Sequence, residues 1–132
     1  KEKTEGKFGV ISDCLISHCP SAVTVFYCDL VVRNSRVFRC EYGVQAFSCF
    51  ALNVHDCIIH DCGQKGVFAN YVNLVKIKKN AIYDCACGIV VDSSIILQIE
   101  NNWLLYISNC FLEISNVVVG VVEDLHCRAL PS

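Results

Sequence analysis

The feature that most constrains this chain is a motif that occurs twice between Gly66 and Ile107, with matched positions 22 residues apart. Each copy begins with glycine, continues through alternating apolar residues and a polar turn, and ends in an apolar segment that contains an asparagine. Repetition at this period is typical of solenoids, in which each repeat buries its apolar face only by stacking on its neighbours. The repeat therefore predicts a stacked architecture.

The same pattern can be followed along the whole chain. An apolar anchor residue is followed by a small residue or Asn at +3, an apolar residue at +5, and Cys or an apolar residue at +8. A sixth copy, which ends at Leu130, fits less well. The anchors are Ile11, Val32, Val54, Ile77, Ile99 and Val122, which lie 21, 22, 23, 22 and 23 residues apart. This regularity predicts about six coils of 21–23 residues.

A further strand is predicted between successive anchors. Apolar residues alternate there with a period of two, which places one face of the strand inward and the other outward. Gly43, Gly66 and Gly88 come just before three of these strands, where we expect either a positive φ or a close approach of two backbones. The alternating pairs are Val23 and Val25, Val44 and Ala46, Val67 and Ala69, Ile89 and Val91, and Leu112 and Ile114.

Two classes of solenoid fit the repeat. The segment 72–82 matches the leucine-rich repeat pattern, in which an Asn such as Asn80 bonds backbone groups inside the turn. A leucine-rich repeat often returns through a helical segment with spaced leucines, whereas each return here is glycine followed by β-branched and small residues. The return therefore favours a strand, and with it a β-helix.

On these residues the chain resembles the right-handed parallel β-helix of the pectin-lyase-like superfamily. The resemblance implies an all-β fold, a single-stranded right-handed parallel β-helix solenoid of about six coils. It also implies an internal ladder of asparagines, here Asn80 and Asn102. We expect residues 1–132 to form one such domain of a longer chain, with Lys1 to Lys7 as a polar tail.

Two cysteine-rich segments, CIIHDCGQKG and AIYDCACG, carry a narrower resemblance. They are similar to the β-helix repeats of eukaryotic F-box-only proteins and of the Shc-binding and Nessun dorma spindle proteins. This resemblance implies substrate recognition within an F-box ubiquitin ligase, with the F-box itself in another part of a longer chain.

Composition limits the classes of partner. The net charge is −2 and the pI is about 6.1, so we expect no nucleic-acid partner. The one dense basic run, Lys76, Lys78 and Lys79, is typical of a solvated strand edge. Apolar runs such as Val117 to Val122 are far shorter than a membrane span, so we expect a soluble protein with no membrane partner.

The chain contains eleven cysteines, an odd number that cannot be fully paired within one chain. Together with the absence of an Asn-x-Ser/Thr sequon, this favours a reducing, intracellular location in the cytoplasm, and the alternative is a secreted protein whose signal peptide has been removed. The shared register predicts stacks of small buried thiols, although neighbouring coils are close enough for an oxidised pair. The stacks are Cys19, Cys40, Cys62 and Cys85 at one position and Cys14 and Cys57 at another.

His55, Cys57, His60 and Cys62 are residue types that bind zinc. Their register places both cysteines on inward columns and both histidines on outward columns. Ligands on opposite faces of a strand cannot converge on one ion, so we expect no metal, and nothing in the repeat indicates another cofactor.

Carbohydrate-cleaving β-helices need converging carboxylates. The outward column Thr24, Gln45, Phe68, Val90 and Glu113 contains one carboxylate. Asp61 and Asp84 share another column, where we expect them to be solvated turn residues. The pattern thus favours a non-catalytic protein over a glycan-cleaving one.

The most informative columns lie at +4 and +6 from the anchors. They read Leu15, Arg36, Ile58, Ala81, Trp103 and Ser17, Phe38, His60, Tyr83, Leu105. Within them we predict an exposed binding stripe, consisting of Phe38, Ile58, His60, Tyr83, Trp103 and Leu105. An alternative is that another part of a longer chain covers this face.

Three functions follow from these observations. The first is a scaffold that binds a protein partner through the stripe. The second is a glycan-binding or glycan-cleaving module, for which Arg36, His60, Asp61 and Asp84 supply few hydrogen-bonding partners. The third is substrate recognition in an F-box ligase. The unpaired edges of the end coils also predict end-to-end self-association.

Overall fold

The computed structural model describes residues 7–129, and in that range the chain forms thirteen β-strands and no helix. The strands are β1 (Lys7–Ser12), β2 (Leu15–Ser17), β3 (Ser21–Phe26), β4 (Cys28–Arg33), β5 (Arg36–Phe38), β6 (Tyr42–Phe47), β7 (Ala51–His55), β8 (Ile58–His60), β9 (Lys65–Asn70), β10 (Leu74–Lys78), β11 (Ala81–Tyr83), β12 (Cys87–Leu105) and β13 (Cys110–Arg128). Within these residues no helix has the length and apolar character that a membrane crossing requires. Residues 1–6 of the proposed tail and the last position of the sixth copy, Leu130, lie outside the described residues. Lys7, the last residue of the proposed tail, is instead the first residue of β1 and pairs with Cys28.

The strands form three parallel faces, each built by stacking one strand from every coil. Face A contains β1, β4, β7 and β10, face B contains β2, β5, β8 and β11, and face C contains β3, β6 and β9. The long strands β12 and β13 continue through all three faces in turn. The chain is therefore a parallel β-helix of about six coils, and the predicted fold class is confirmed.

The register agrees with the predicted anchors at every coil. Ile11 pairs with Val32, and the column continues through the remaining anchors to Val122. The inward column at +5 pairs Ile16, Val37, Ile59, Ile82, Leu104 and Cys127 in the same way. Because these columns stack within one sheet, a shift of one residue in any coil would turn its apolar side chains to solvent.

The core is a continuous stack of β-branched residues and leucines. The side chains of Val32, Val54, Ile77 and Ile99 are fully enclosed, with no exposed surface. Each contributes about 1.5–3 kcal/mol through removal of its apolar surface from water. Val122, in the same column on β13, is 40% exposed because no described coil lies beyond it.

Each corner of the β-helix is made by a single residue with positive φ. The first corner contains Asp13, Asn34, Asp56, Lys79, Asn101 and Asp124, the second His18, Arg39, Asp61, Asp84 and Tyr106, and the third Tyr27, Ser48, Tyr71, Ser93 and Asn116. Most of their backbone N–H groups donate to a carbonyl of the next coil, as Lys79 does to the Glu100 carbonyl at 3.0 Å. These hydrogen bonds offset the strain of the left-handed conformation.

Of the two explanations for the glycines before the strands, close backbone approach is the one observed. No glycine among the described residues has a positive φ. A Cβ placed on Gly66 would lie 2.8 Å from both the Gly88 carbonyl oxygen and Ile82 Cγ2, which is inside van der Waals contact. Glycine is needed here because only a hydrogen atom fits between two coils.

The cysteines are all free thiols within the described range. Cys40, Cys62 and Cys85 are buried in one stack, and Cys57 is buried at the second position, as predicted. The prediction is wrong for Cys14, which is exposed, and Cys19 is only half-buried, because both lie in the first described coil. In addition, thiols that follow a corner residue donate to the carbonyl two residues earlier, as in Cys85 to Tyr83 O at 3.4 Å. The same bond is made by Cys14, Cys40, Cys49, Cys57 and Cys62. The thiol is thus a second donor to a carbonyl that also accepts a backbone N–H from the preceding coil, as Tyr83 O does from Asp61 at 3.1 Å.

Candidate functional site

Two columns of outward-facing residues run along face B, and within each column every residue is paired with the equivalent residue of the next coil. One column contains Leu15, Arg36, Ile58, Ala81, Trp103 and His126, and the other Ser17, Phe38, His60, Tyr83, Leu105 and Arg128. All six residues of the predicted stripe lie in these columns. Since parallel in-register strands are about 4.8 Å apart, each side chain contacts the one in the next coil.

In the second column the rings stack face to face. The centroid of Phe38 lies 5.1 Å from that of His60, and their planes differ by 2°. His60 and Tyr83 are 4.7 Å apart at 4°. Stacks of this kind are worth about 0.5–1.5 kcal/mol per pair beyond area burial, so the column is a rigid surface element.

His60 is also held by two polar neighbours. Arg36 Nε donates to His60 Nε2 at 3.0 Å, and His60 Nδ1 pairs with the carboxylate of Asp61. Because an arginine Nε is only a donor, Nε2 must be the acceptor and Nδ1 carries the proton. The ring therefore keeps one tautomer and one orientation.

The structure places His60 on the outer face, as predicted, but its two ring neighbours leave it only 7% exposed. His60 therefore holds the neighbouring rings in position and contributes little exposed surface of its own. The exposed apolar members of the face are Leu15 at 69%, Ile58 at 42% and Trp103 at 50%. Phe38, Tyr83 and Leu105 are half-buried.

Two further contacts fix the ends of the stripe. Trp103 stacks on His126 of the next coil with centroids 4.2 Å apart. At the other end, the guanidinium carbon of Arg36 lies 5.2 Å from the centre of the Phe38 ring, within cation–π range. The stripe is thus a preorganised apolar surface with an arginine at one edge.

The groups considered for metal binding lie as the register predicts. Cys57 and Cys62 are each 2% exposed and face the core, whereas His55 and His60 face outward. Each histidine bonds through Nδ1 to the aspartate that follows it, His55 to Asp56 at 2.8 Å. Within residues 7–129 no three His, Cys, Asp or Glu side chains are grouped as a metal site.

Asp61 and Asp84 are exposed residues at the second corner, with φ of 56° and 55°. The prediction that they are solvated turn residues is confirmed. Asp61 is occupied by its bond to His60. Corner geometry therefore accounts for the position of both residues.

A second aromatic cluster, on face C, was not predicted. Phe26 and Phe47 stack at 5.0 Å, and Lys65 Nζ lies 5.0 Å from the Phe68 ring centre and 5.5 Å from that of Tyr42. A signal was present in the sequence, since Phe26 and Phe47 are 21 residues apart, as are the first two anchors. The cluster is interrupted by the polar residues Gln45 and Asn70, so it is less continuous than the face B stripe.

A family model described as a right-handed β-helix region matches residues 3–117. The match includes every residue of the predicted stripe. No curated protein and no solved structure matches the chain.

Proposed function

Because the chain belongs to the right-handed β-helix family, a fold that specifies stacked coils but no single activity, we propose that it is a non-catalytic scaffold that binds a protein partner through face B. The observation that carries this proposal is the continuity of the stripe. Exposed apolar side chains in one column run beside a stacked aromatic column in the next. Contiguous exposed apolar surface is typical of interaction sites.

The shape of the stripe favours a protein partner. From Ser17 to Leu105 the column crosses four gaps between coils, or roughly 20 Å at about 4.8 Å per gap. That length suits a strand or a few turns of helix lying along the face. Trp, Tyr and Arg, the residue types enriched at binding hot spots, are represented by Trp103, Tyr83 and Arg36.

The glycan-binding alternative has weaker support from the geometry. A sugar ring stacks on the open face of an aromatic side chain, but the faces of His60 are covered by Phe38 and Tyr83. Trp103 has one face against His126. Substrate recognition in an F-box ligase would be one form of the proposed scaffold role, and it stays a prediction.

The experiment compares the wild-type protein with the double variant Tyr83→Ser/Trp103→Ser. Candidate partners are captured from a lysate, identified by mass spectrometry, purified and titrated individually. The matched control is Phe26→Ser/Tyr71→Ser, which removes two exposed aromatic residues (60% and 64%) away from face B.

We expect at least one purified partner whose Kd rises about tenfold or more with the face B variant, as loss of two hot-spot residues implies. The control variant should bind within about twofold of the wild type. Equal affinity of all three proteins for every purified partner would overturn the proposal.

A further inference from the structure

Cys87 and Cys110 form a closely spaced pair of thiols. They are register partners on face C, at the first residues of β12 and β13, and their sulfur atoms are 2.7 Å apart. By comparison, the sulfurs of the stacked pair Cys19 and Cys40 are 3.6 Å apart, an ordinary contact distance. The two coils therefore already hold Cys87 and Cys110 facing each other.

The backbone geometry suits a covalent bond. Neighbouring strands in a parallel sheet lie about 4.8 Å apart, within the Cα range of disulfides. Bond formation then requires small side-chain rotations without a change of register.

Cys110 gives this pair access to solvent. Cys110 is half-buried and Cys87 is 8% exposed, on the outer surface of face C. In the inward stack, Cys62 and Cys85 are each 2% exposed and enclosed by the core. A small oxidant in water therefore reaches Cys87 and Cys110 more readily than it reaches the buried thiols.

The polar contacts distinguish the two sulfurs. Cys110 donates its S–H to Cys87 Sγ, and Asn109 Nδ2 approaches the same acceptor at 3.8 Å. Burial, together with the adjacent sulfur, raises the pKa of Cys110 to about 12, so Cys110 is protonated at neutral pH. The two sulfurs lie side by side, so whichever is oxidised first has the other beside it as the second thiol.

We propose that Cys87 and Cys110 are a redox-modification site, at which a peroxide converts the thiol pair to a disulfide that joins β12 to β13. One of the two sulfurs attacks hydrogen peroxide, an S–O bond forms as the O–O bond breaks, and the thiol proton joins the departing hydroxyl group to give one water. The other sulfur then forms the S–S bond and displaces the sulfenic oxygen, which takes up that thiol's proton and leaves as a second water. Two thiols and one peroxide give one disulfide and two waters, and excess thiol reductant restores the pair by exchange.

The disulfide has a structural consequence for the last coils. Most of β13 is exposed, and it carries His126, on which Trp103 of the stripe stacks. A covalent link at Cys110 fixes the start of this strand to β12. In the oxidised protein, β13 should therefore detach from the solenoid less readily than in the reduced protein.

The test treats reduced protein with about one to five equivalents of hydrogen peroxide, blocks remaining thiols by alkylation and maps the peptides. We expect a peptide pair linked through Cys87 and Cys110, with a mass about 2 Da below the sum of the reduced peptides. The link should vanish on adding dithiothreitol, and the Tm of the oxidised protein should fall to the reduced value.

Cys110→Ser, or Cys110→Ala where serine impairs folding, should abolish the link, and Cys19→Ser should leave it unchanged. The proposal is overturned if the exposed thiols of Cys14 and Cys127 become oxidised while Cys87 and Cys110 remain unlinked. Preferential formation of a Cys19–Cys40 bond would overturn it equally.

Discussion

Asn102 Oδ1 accepts two hydrogen bonds from Asn80, one from the backbone N–H and one from Nδ2, each 3.0 Å long. Asn102 Nδ2 in turn donates to the Ile77 carbonyl at 2.8 Å, and Asn80 Oδ1 accepts from the Cys57 N–H at 2.9 Å. Asn80 and Asn102 are 1% and 0% exposed. This arrangement confirms the internal asparagine ladder, in which each amide bonds backbone groups at the corner of its neighbour.

Replacing Asn102 with alanine should therefore destabilise the protein strongly. The N–H and Nδ2 of Asn80 and the carbonyl of Ile77 would lose partners in a site that water does not reach. We expect the free energy of unfolding to fall by about 3 kcal/mol, measured by urea denaturation. Asn53→Ala, a half-buried asparagine on the outside of face A, should change it by less than about 0.5 kcal/mol. Equal effects of the two changes would argue against a ladder that supports the fold.

Gly66→Ala tests the close approach of the coils. Its Cβ would clash with the Gly88 carbonyl and with Ile82, which are held by the sheet and the core. We expect a loss of about 1–3 kcal/mol in urea unfolding. Gly120→Ala is the matched control, because its Cβ would find ordinary contacts at 3.5 Å and beyond. That change should be neutral or stabilising by up to about 1 kcal/mol, and a loss as large as that of Gly66→Ala would refute steric exclusion as the reason for glycine.

The positive φ at the corners predicts how substitution by glycine changes stability there compared with a strand position. Lys79 and Lys76 are both exposed, but Lys79 has a φ of 58°, whereas Lys76 lies within β10. Lys79→Gly relieves left-handed strain, while Lys76→Gly only adds freedom to the unfolded chain. In thermal and urea unfolding, Lys79→Gly should be more stable than Lys76→Gly by about 1–2 kcal/mol. The reverse order would show that the corner is not strained.

Asp92, on β12 beside β13, should make the stability of the protein depend on pH. Hydrogen bonds from Asn116, Ser115 and Ser93 lower the pKa of its carboxyl below the reference value of 3.8. A lowered folded-state pKa adds stability that is complete above pH 3.8 and is lost as the pH falls through the folded value.

The stability difference between wild type and Asp92→Ala should therefore be constant from pH 7 to about 5 and shrink below about pH 4, in a series of urea titrations. Glu123→Ala removes an exposed carboxylate from β13 and serves as the control, with a small effect at pH 7. A difference for Asp92→Ala that grows as the pH falls would contradict the assigned hydrogen bonds.

The coil register could be predicted because inward positions are constrained chemically. A buried column accepts Ile, Val or Leu at each coil, so Ile77 and Ile99 repeat with the true period. The corners could not be predicted in the same way. They contain residues as different as Tyr71, Lys79 and Asp84, because backbone hydrogen bonds between coils stabilise the positive φ whatever the side chain.

The sequence predicts which residues of the candidate site share an outward column, but not how their side chains contact one another. Alternation along each strand places Tyr83 and Trp103 outward, and the register brings them to one face. The burial of His60 depends on ring orientations and on the positions of Arg36 and Asp61, which a one-dimensional pattern does not encode. For the same reason, the sequence places Cys87 and Cys110 in neighbouring coils but does not show that their sulfurs meet.

Hydroxyl-radical footprinting tests most directly whether face B is the binding surface, by comparing the protein alone with the protein bound to a partner purified by the capture experiment. Trp103, Ile58 and Leu15 are exposed and reactive when free. We predict that oxidation of Trp103 and Ile58 falls about fivefold or more in the complex, while that of Phe26 and Tyr71 is unchanged. Protection of Phe26 and Tyr71 with no protection on face B would show that the partner binds elsewhere than face B.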